Sequence, residues 1–324
     1  MNKYLSDKEW LERISLSMNT KKEKNKQPKR AAPREMPIQE AKGGGLKDVA
    51  GMDELKILIQ ESFINVLKNK ESARVFGITP PSILFYGPAG VGKTFFAEKI
   101  AEEIGIHFMK VAPDDLASSY IHGTQAKIGE LFQKAEEKAP TLLFFDEFDC
   151  MVPQRSNNDN NYQNGEVNEF LCMLNNATKR DIYVIAATNH PERIDKAVLR
   201  TGRIDELIYV GMPNLTARES LFRLSLSHLP IAKDINYPLL AEKTKGFNCS
   251  DIEYIIQVAA RKMFNESIED KEKGICPITQ EVLMDTISKR SPSVSNKDLR
   301  EFDRIRSELS PLHKGLQPGS IGFH

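Results

Sequence analysis

An eight-residue glycine-rich segment constrains the fold of this chain more than any other feature. Residues 87–94 read Gly-Pro-Ala-Gly-Val-Gly-Lys-Thr and directly follow the apolar run Ile83–Tyr86. After them, Phe96, Ile100 and Ile104 recur every four residues, which is typical of a helix. A glycine-rich turn that binds nothing is one interpretation. The agreement of strand, loop and helix with the full G-x-x-x-x-G-K-T spacing instead predicts a phosphate-binding loop.

The residue types in this loop suit the parts of a nucleotide. Glycines let the backbone turn its N–H groups towards phosphate oxygens, and the dipole of the following helix favours the same negative charge. Lys93 would reach the β- and γ-phosphates, and the Thr94 hydroxyl would hold Mg²⁺. The residues predicted to bind the nucleotide here are Gly87, Pro88, Ala89, Gly90, Val91, Gly92, Lys93, Thr94 and Phe95.

Two acidic residues end a second apolar run. Thr141–Phe145 leads directly into Asp146 and Glu147. Open α/β sheets place ligands at the carboxyl ends of their strands, so Asp146 is suited to orient the metal shell. Glu147 could accept a proton from an attacking water. Strand ends often carry solvated acids, but beside a complete phosphate loop this pair predicts catalysis.

A third apolar run, Ile182–Ala187, ends in Thr188 and Asn189. The Asn189 amide offers both a donor and an acceptor, which suits it to position a water molecule. Alone, it would be interpreted as a turn residue. Further on, Arg200 and Arg203 flank one glycine. For isolated arginines, surface salt bridges are the ordinary interpretation.

Apolar runs that alternate with helical patterns predict a parallel sheet covered by helices on both faces, which is an α/β fold. The predicted strands are Ile83–Tyr86, Leu142–Phe145, Ile182–Ala187 and Leu207–Val210. Beyond Pro213 the pattern is helical, with capping-box spacings at Thr216/Glu219 and Ser250/Glu253 and a further helix after Ser295. We predict an N-terminal helix and linker (1–45), a large α/β domain (46–212), a small helical domain (213–310) and a loose tail (311–324).

The N-terminal region combines basic residues with prolines and glycines between residues 19 and 45, which predicts a flexible linker. Ahead of it, Ser6 and Glu9 have capping-box spacing and predict a short helix. This helix could pack on its own domain or dock on a partner or adaptor, and the sequence favours neither.

Composition narrows the possible functions. Lys+Arg and Asp+Glu both number 45, so no global field attracts nucleic acid or anionic membrane. The 4 cysteines are scattered without metal-site spacing, which favours a reducing cytoplasm. No apolar run approaches the ~18–20 residues that a membrane helix needs, so we expect no membrane span.

On these motifs, the chain resembles the AAA ATPases of the AAA+ superfamily over about residues 46–310. Residues 87–94 match the Walker A motif, residues 142–147 match Walker B, and Asp149 completes a D-E-x-D run. Residues 187–205 resemble the second region of homology, and residues 292–299 resemble the C-terminal helix of the katanin-like and Cdc48-like branches. The resemblance implies a P-loop NTPase sheet with a small helical lid domain, hydrolysis of ATP with Mg²⁺, and a homo-oligomeric, hexameric ring.

The resemblance also implies roles for particular residues. Asn189 would be the sensor-1 residue, and Arg200 and Arg203 would be arginine fingers that reach the nucleotide of a neighbouring subunit. The segment 46–52 would line the adenine pocket, and residues 246–252 would form the lid over the base, with Cys249 and Ser250 where the family usually has Gly and Ala. The residues implied to bind the base are Asp48, Val49, Ala50, Gly51, Cys249 and Ser250.

A loop that grips substrate is implied at Tyr120, Ile121 and His122, where the family has an aromatic-aliphatic-Gly triplet. The alternative is an aromatic helix end packed on its own domain. The polar segment 156–165 would be a second pore loop or a disordered loop.

Three functions are compatible with these features. The favoured one is a protein-remodelling, chaperone-like unfoldase that threads polypeptide through a central pore. The second is an ATP-dependent assembly switch or adaptor-like binding module without translocation. The third, a nucleic-acid-linked ATPase, is not expected because the basic linker has no stacking aromatic residues. A membrane-anchored AAA metalloprotease is not expected, because the chain has no H-E-x-x-H motif and no predicted membrane span. The chain could still feed a separate protease.

Overall fold

A computed structural model describes residues 38–39, 43–116, 123–154, 161–200, 202–269 and 274–309. Several predicted features lie outside the described residues. They are the N-terminal helix, most of the basic linker, the triplet Tyr120, Ile121 and His122, and the tail. Within the described ranges, no helix combines the length and the apolar character that a membrane crossing requires.

A six-stranded sheet lies at the centre of the α/β part, in the spatial order β1-β3-β4-β5-β2-β6. Its strands are β1 (Ile38–Gln39), β2 (Ile83–Tyr86), β3 (His107–Val111), β4 (Thr141–Phe145), β5 (Ile182–Thr188) and β6 (Glu206–Tyr209). Strands β2 to β6 pair in parallel, and β1 pairs antiparallel with β3. The predicted parallel α/β sheet is therefore confirmed.

Helices cover both faces of this sheet. They are α1 (Asp53–Ile59), continued by a π-helical turn (Gln60–Ile64) into α2 (Asn65–Lys68), then α3 (Lys70–Val75), α4 (Lys93–Ile104), α5 (Pro113–Leu116), α6 (Gly123–Glu137), α7 (Phe148–Met151) and α8 (Asn161–Leu174). Short 3-10 helices span Gly45–Asp48, Thr178–Arg180 and Pro191–Arg193.

The two faces of the sheet contribute to separate hydrophobic cores. Along β4, Leu143 and Phe145 belong to one core, whereas Leu142 and Phe144 belong to the other. This alternation follows from the two-residue period of a strand. Because both faces are buried, the central strands are continuously apolar, and this is why their sequences predict them well.

Strand β3 is not predicted by the sequence analysis. Its two polar residues, His107 and Lys110, are partly exposed, while Phe108, Met109 and Val111 are buried. The mixed pattern arises because β3 lies towards one edge of the sheet, between β1 and β4. The short strand β1 falls within the segment that the sequence analysis predicts to be linker.

The C-terminal elements are α9 (Leu215–Leu226), α10 (Tyr237–Lys243), α11 (Cys249–Glu269), α12 (Gln280–Ser288) and α13 (Asn296–Leu309). We call these five helices and their connections the helical region. Its core contains Phe222, Leu240, Ile252 and Leu283 and is distinct from the two cores of the sheet. The predicted helical segment after the sheet is therefore confirmed.

The capping boxes predicted for α9 and α11 are wrong. Helix α9 is capped by Asn214, whose Oδ1 accepts from the Ala217 N–H at 2.8 Å. At the start of α11, Asn248 Oδ1 accepts from the Asp251 N–H at 2.7 Å, and Asp251 Oδ2 accepts from the Asn248 N–H at 3.3 Å. Both helices thus begin earlier than predicted, because an asparagine upstream of each predicted serine or threonine caps at least as well.

Helix α13 returns to the sheet. The ring of Phe302 lies 6.3 Å from that of Tyr209 on β6, and Tyr209 lies 5.5 Å from Tyr86, measured between ring centroids. The Arg306 guanidinium lies 5.5 Å from the Tyr209 ring centroid. Tyr86 immediately precedes the phosphate loop, so aromatic contacts connect this loop to the last described helix.

Candidate nucleotide site

The loop between β2 and α4 has a backbone that only glycine accommodates well. Gly87, Gly90 and Gly92 have φ angles of 149°, 74° and 93°. A Cβ atom on Gly87 would lie 2.1 Å from the carbonyl oxygen of Val210, far inside van der Waals contact. The glycines therefore let the loop turn tightly beside β6 and lead into the N-terminus of α4, which begins at Lys93.

Lys93 lies inside this turn and is only 8% exposed. Its ammonium donates to the carbonyl oxygens of Gly87 at 2.8 Å and Pro88 at 2.7 Å. It also donates to Asn189 Oδ1 at 2.7 Å. Burial lowers the pKa of Lys93 to about 8 because it disfavours the charged form, and the negative charge of Asp146 opposes this only in part. The structure thus brings the loop lysine into contact with the strand-end amide of β5.

Thr94 and Asp146 are also in contact. The Thr94 hydroxyl donates to Asp146 Oδ2 at 3.1 Å, which joins the first turn of α4 to the end of β4. A hydroxyl and a carboxylate beside a phosphate loop form an all-oxygen donor set, which is the kind Mg²⁺ prefers. These two residues therefore fit a magnesium ion.

Lys110 is a neighbour of this pair that the sequence analysis does not identify. Its ammonium lies 2.9 Å from the same Asp146 oxygen. Lys110 is on β3, and its register partner on β4 is Phe144, close to the strand end. The sequence does not predict β3 as a strand, so it gives no indication of where Lys110 lies. Lys110 thus forms an ion pair with the carboxylate that would bind a metal ion.

Glu147 follows Asp146 in a left-handed backbone conformation, with φ 49° and ψ 47°. Few residues other than glycine adopt this conformation, which costs about 1–2 kcal/mol. Glu147 is exposed, and its carboxylate forms no hydrogen bond or ion pair with any residue that the structure describes. The sharp turn thus leaves a carboxylate at the strand end free for other interactions.

Asp149 stabilises the neighbouring strand end. It is buried and accepts a hydrogen bond from the Thr188 hydroxyl at the end of β5. The same hydroxyl accepts from the His190 N–H at 2.8 Å. These contacts lie on either side of Asn189 and fix its turn. The second aspartate of the D-E-x-D run therefore has a structural role.

The predicted lid residues adjoin the phosphate loop. The Ser250 N–H donates to the Gly90 carbonyl at 3.1 Å, and the Cys249 thiol lies 3.5 Å from the Val91 carbonyl. Burial raises the pKa of Cys249 to about 12, with a smaller contribution from the negative charge of Glu253. The thiol therefore remains protonated at neutral pH.

The predicted adenine segment contacts both α4 and the helical region. Asp48 Oδ2 lies 3.0 Å from the Lys99 ammonium, and this hydrogen bond holds the pKa of Asp48 below its usual value. Gly51 has a φ of 64°, and a Cβ atom there would lie 2.4 Å from Ala217 Cβ. The Asp48 carboxylate is thus bound to α4, while the backbone near Gly51 packs against α9. Val49 and Ala50 connect the two contacts.

The two arginines and Phe95 lie in different environments. Arg200 is exposed, and its side chain has no hydrogen bond or ion pair among the described residues, whereas its carbonyl accepts from the Arg203 N–H at 3.1 Å. Arg203 is half-buried and donates to the Ala197 carbonyl at 2.6 Å. Phe95 is 43% exposed, and the Lys99 ammonium lies 5.3 Å from its ring centroid. Within the described chain, neither arginine hydrogen-bonds to the phosphate loop.

The strand, the glycine-rich loop, the buried lysine and the acidic strand end together define a P-loop nucleotide-binding protein. The family described as "ATPase family associated with various cellular activities (AAA)" matches residues 83–212. The chain is also 32% identical over 278 residues to the Cell division cycle protein 48 homolog of Archaeoglobus fulgidus. That similarity covers 82% of this chain and 38% of the relative, so the chain spans well under half of the relative's length. The chain belongs to the AAA ATPases, as its motifs predict.

Proposed function

We propose that the chain hydrolyses ATP in the loop between β2 and α4 and uses Mg²⁺ to do so. The main support is that the contacts from Lys93 to Asn189 and from Thr94 to Asp146 join the ends of three strands at one place. When bound, Mg²⁺ would neutralise charge on the β- and γ-phosphate oxygens. The domain boundaries predicted at residues 45/46 and 212/213 form part of this proposal.

The chemistry follows from the side chains around the loop. Lys93 would exchange its contacts with loop carbonyls for the β- and γ-phosphates, and Thr94 and Asp146 would hold the metal ion. Asn189 would orient a water that attacks the γ-phosphorus, and Glu147 would accept the proton of that water. The bond between the γ-phosphorus and the bridging oxygen breaks, and ADP and inorganic phosphate leave.

Nucleotide affinity is expected to fall as the pH rises above about 8, the pKa of Lys93. Bound phosphate would stabilise the charged lysine and raise its pKa. Affinity is therefore full below the pKa of the free protein and decreases above it, by up to about tenfold per pH unit. Titration of a fluorescent ADP analogue between about pH 7 and pH 9 measures this slope. In the control variant Lys93→Arg, which does not titrate in this range, the slope should vanish, and an equal slope there would rule out Lys93 as its origin.

We further propose that the chain forms a homo-oligomeric ring, a hexamer by family resemblance, that acts in the cytoplasm on polypeptide substrates. The exposed and unpaired Arg200 supports this, because a cation with no partner in the described chain is available to a neighbouring subunit. Tyr120, Ile121 and His122 would grip an extended polypeptide in the pore. The N-terminal helix would recruit an adaptor.

Replacing Tyr120 by Ala is expected to abolish substrate unfolding and to retain much of the ATPase activity, because the aromatic ring would supply grip and no chemistry. The measurement is the loss of fluorescence of a reporter protein with an unstructured tail, alongside phosphate release. Tyr120→Phe, which keeps the ring, should still unfold the reporter. If Tyr120→Ala unfolds it as fast as the unaltered chain, the pore grip is wrong. ATP-dependent assembly without any unfolding by the unaltered chain would favour the assembly switch.

A further inference from the structure

The outer side of the phosphate loop is held by the first residues of α11. The carbonyls of three consecutive loop residues each contact one of three consecutive residues at the start of this helix. The pairs are Ala89 O with Asn248 Nδ2 at 3.0 Å, Gly90 O with Ser250 N at 3.1 Å, and Val91 O with Cys249 Sγ at 3.5 Å. The helical region thus supplies partners to the side of the loop that a phosphate would not use.

Asn248 makes the most constrained of these contacts, since it is 2% exposed and its amide is fully used. Its Oδ1 caps α11 by accepting from the Asp251 N–H, and its Nδ2 donates both to Ala89 O and to Ser293 Oγ, each at 3.0 Å. The approach is so close that a Cβ atom on Gly90 would lie 2.6 Å from Asn248 Nδ2. One side chain therefore contacts the loop, the helix start and the segment before α13.

Asp251 extends this network into the helical region. It is 1% exposed and accepts from Arg290 Nη2 at 2.8 Å and from the Ser293 N–H and hydroxyl at 3.1 and 3.0 Å. Burial by itself raises the pKa of Asp251, but the hydrogen bonds from Ser293, Arg290 and Asn248 outweigh burial and hold the pKa below its usual value. The carboxylate is therefore ionised at neutral pH and binds the start of α11 to the segment that follows α12.

We propose that Asn248 is a positioning residue that ties the phosphate loop to the helical region. This inference rests on the proposed nucleotide site. A phosphate loop binds through N–H groups that point inward, so the carbonyls of Ala89, Gly90 and Val91 must be held outward. By fixing the Ala89 carbonyl, Asn248 pre-organises the loop, and any movement of α11 is transmitted to the phosphate-binding backbone.

The test is the variant Asn248→Ser, which keeps an oxygen that can cap α11 but removes the amide that donates to Ala89 O and to Ser293 Oγ. Leaving this carbonyl without its partner should raise the Kd for ADP by about five- to thirtyfold. At saturating ATP, kcat should change by less than about threefold, because the variant alters binding rather than a contact made only in the transition state. Asn248→Ala removes the cap as well, so it should also lower the thermal midpoint by about 2–4 °C. The serine variant should restore the midpoint but not the affinity.

Asn236→Ser is the matched control, because Asn236 Oδ1 likewise caps a helix, α10, by accepting from the Leu239 N–H at 3.0 Å. This variant should bind ADP like the unaltered chain. Equal loss of affinity in both serine variants would indicate general destabilisation and overturn the role of Asn248, as would unchanged affinity in Asn248→Ser. If Lys93→Ala binds ADP as tightly as the unaltered chain, the nucleotide site itself is wrong. If Lys93→Ala weakens ADP binding but the Asn248 variants bind ADP as tightly as the unaltered chain, the nucleotide site is supported and this inference alone is wrong.

Discussion

The variant Glu147→Gln is expected to hydrolyse ATP about 10²–10⁴-fold more slowly than the unaltered chain, because an amide cannot accept the proton of the attacking water. Binding of ATP and ADP should remain, since the residues proposed to contact the phosphates are unchanged. The fold should be unaffected as well, because the Glu147 carboxylate forms no hydrogen bond or ion pair within the described residues. Phosphate release and a nucleotide titration of the same sample separate the two effects.

A suitable control is Glu137→Gln, which neutralises an exposed carboxylate on α6 that accepts a hydrogen bond from Gln133 Nε2 at 3.3 Å. Its turnover should equal that of the unaltered chain. Normal turnover in Glu147→Gln would remove Glu147 as the general base. A parallel loss of nucleotide binding would instead assign Glu147 to the binding of the nucleotide.

Loss of an arginine finger should be comparably severe. In GTPases, where the effect is best measured, such a residue contributes roughly 10³–10⁵-fold in rate. Both Arg200→Ala and Arg203→Ala are therefore expected to be nearly inactive in phosphate release. Their stabilities should differ, because the Arg203 side chain donates to the Ala197 carbonyl whereas the Arg200 side chain has no hydrogen bond or ion pair among the described residues. The midpoint temperature of thermal unfolding should decrease for Arg203→Ala and stay unchanged for Arg200→Ala.

Mixing experiments test whether the arginines act between subunits. An Arg203→Ala subunit retains an intact phosphate loop, and a Lys93→Ala subunit retains an intact arginine. Where Arg203 of a Lys93→Ala subunit faces the phosphate loop of an Arg203→Ala subunit, one complete site is restored. A mixture should therefore regain part of the ATPase activity that each variant lacks. A mixture of Arg200→Ala with Lys93→Ala should regain activity in the same way. Absence of rescue at every ratio, in a mixed assembly shown to form, would indicate that the arginines act within their own chain.

The degree to which the sequence predicts this fold depends on burial. Strands β2, β4 and β5 are completely buried, so their residues form uninterrupted apolar runs that are easy to recognise. Strand β3 has partly exposed polar residues, and its pattern is ambiguous without its neighbours. The sequence does not predict the caps of α9 and α11, because several residues in each segment could cap a helix and only packing of the helix selects one of them.

The glycine-rich loop, the acidic strand end and the family were determined by the sequence alone. Each depends on residues within a few positions of one another, where spacing and backbone preference suffice. The contacts that complete the site were decided only by tertiary structure. Lys93 and Asn189 are separated by 96 positions, and Asn248 and Ala89 by 159, yet their polar atoms meet at hydrogen-bonding distance. Such contacts depend on how strands pair and how the helical region packs on the loop, and neither leaves a local pattern in the chain.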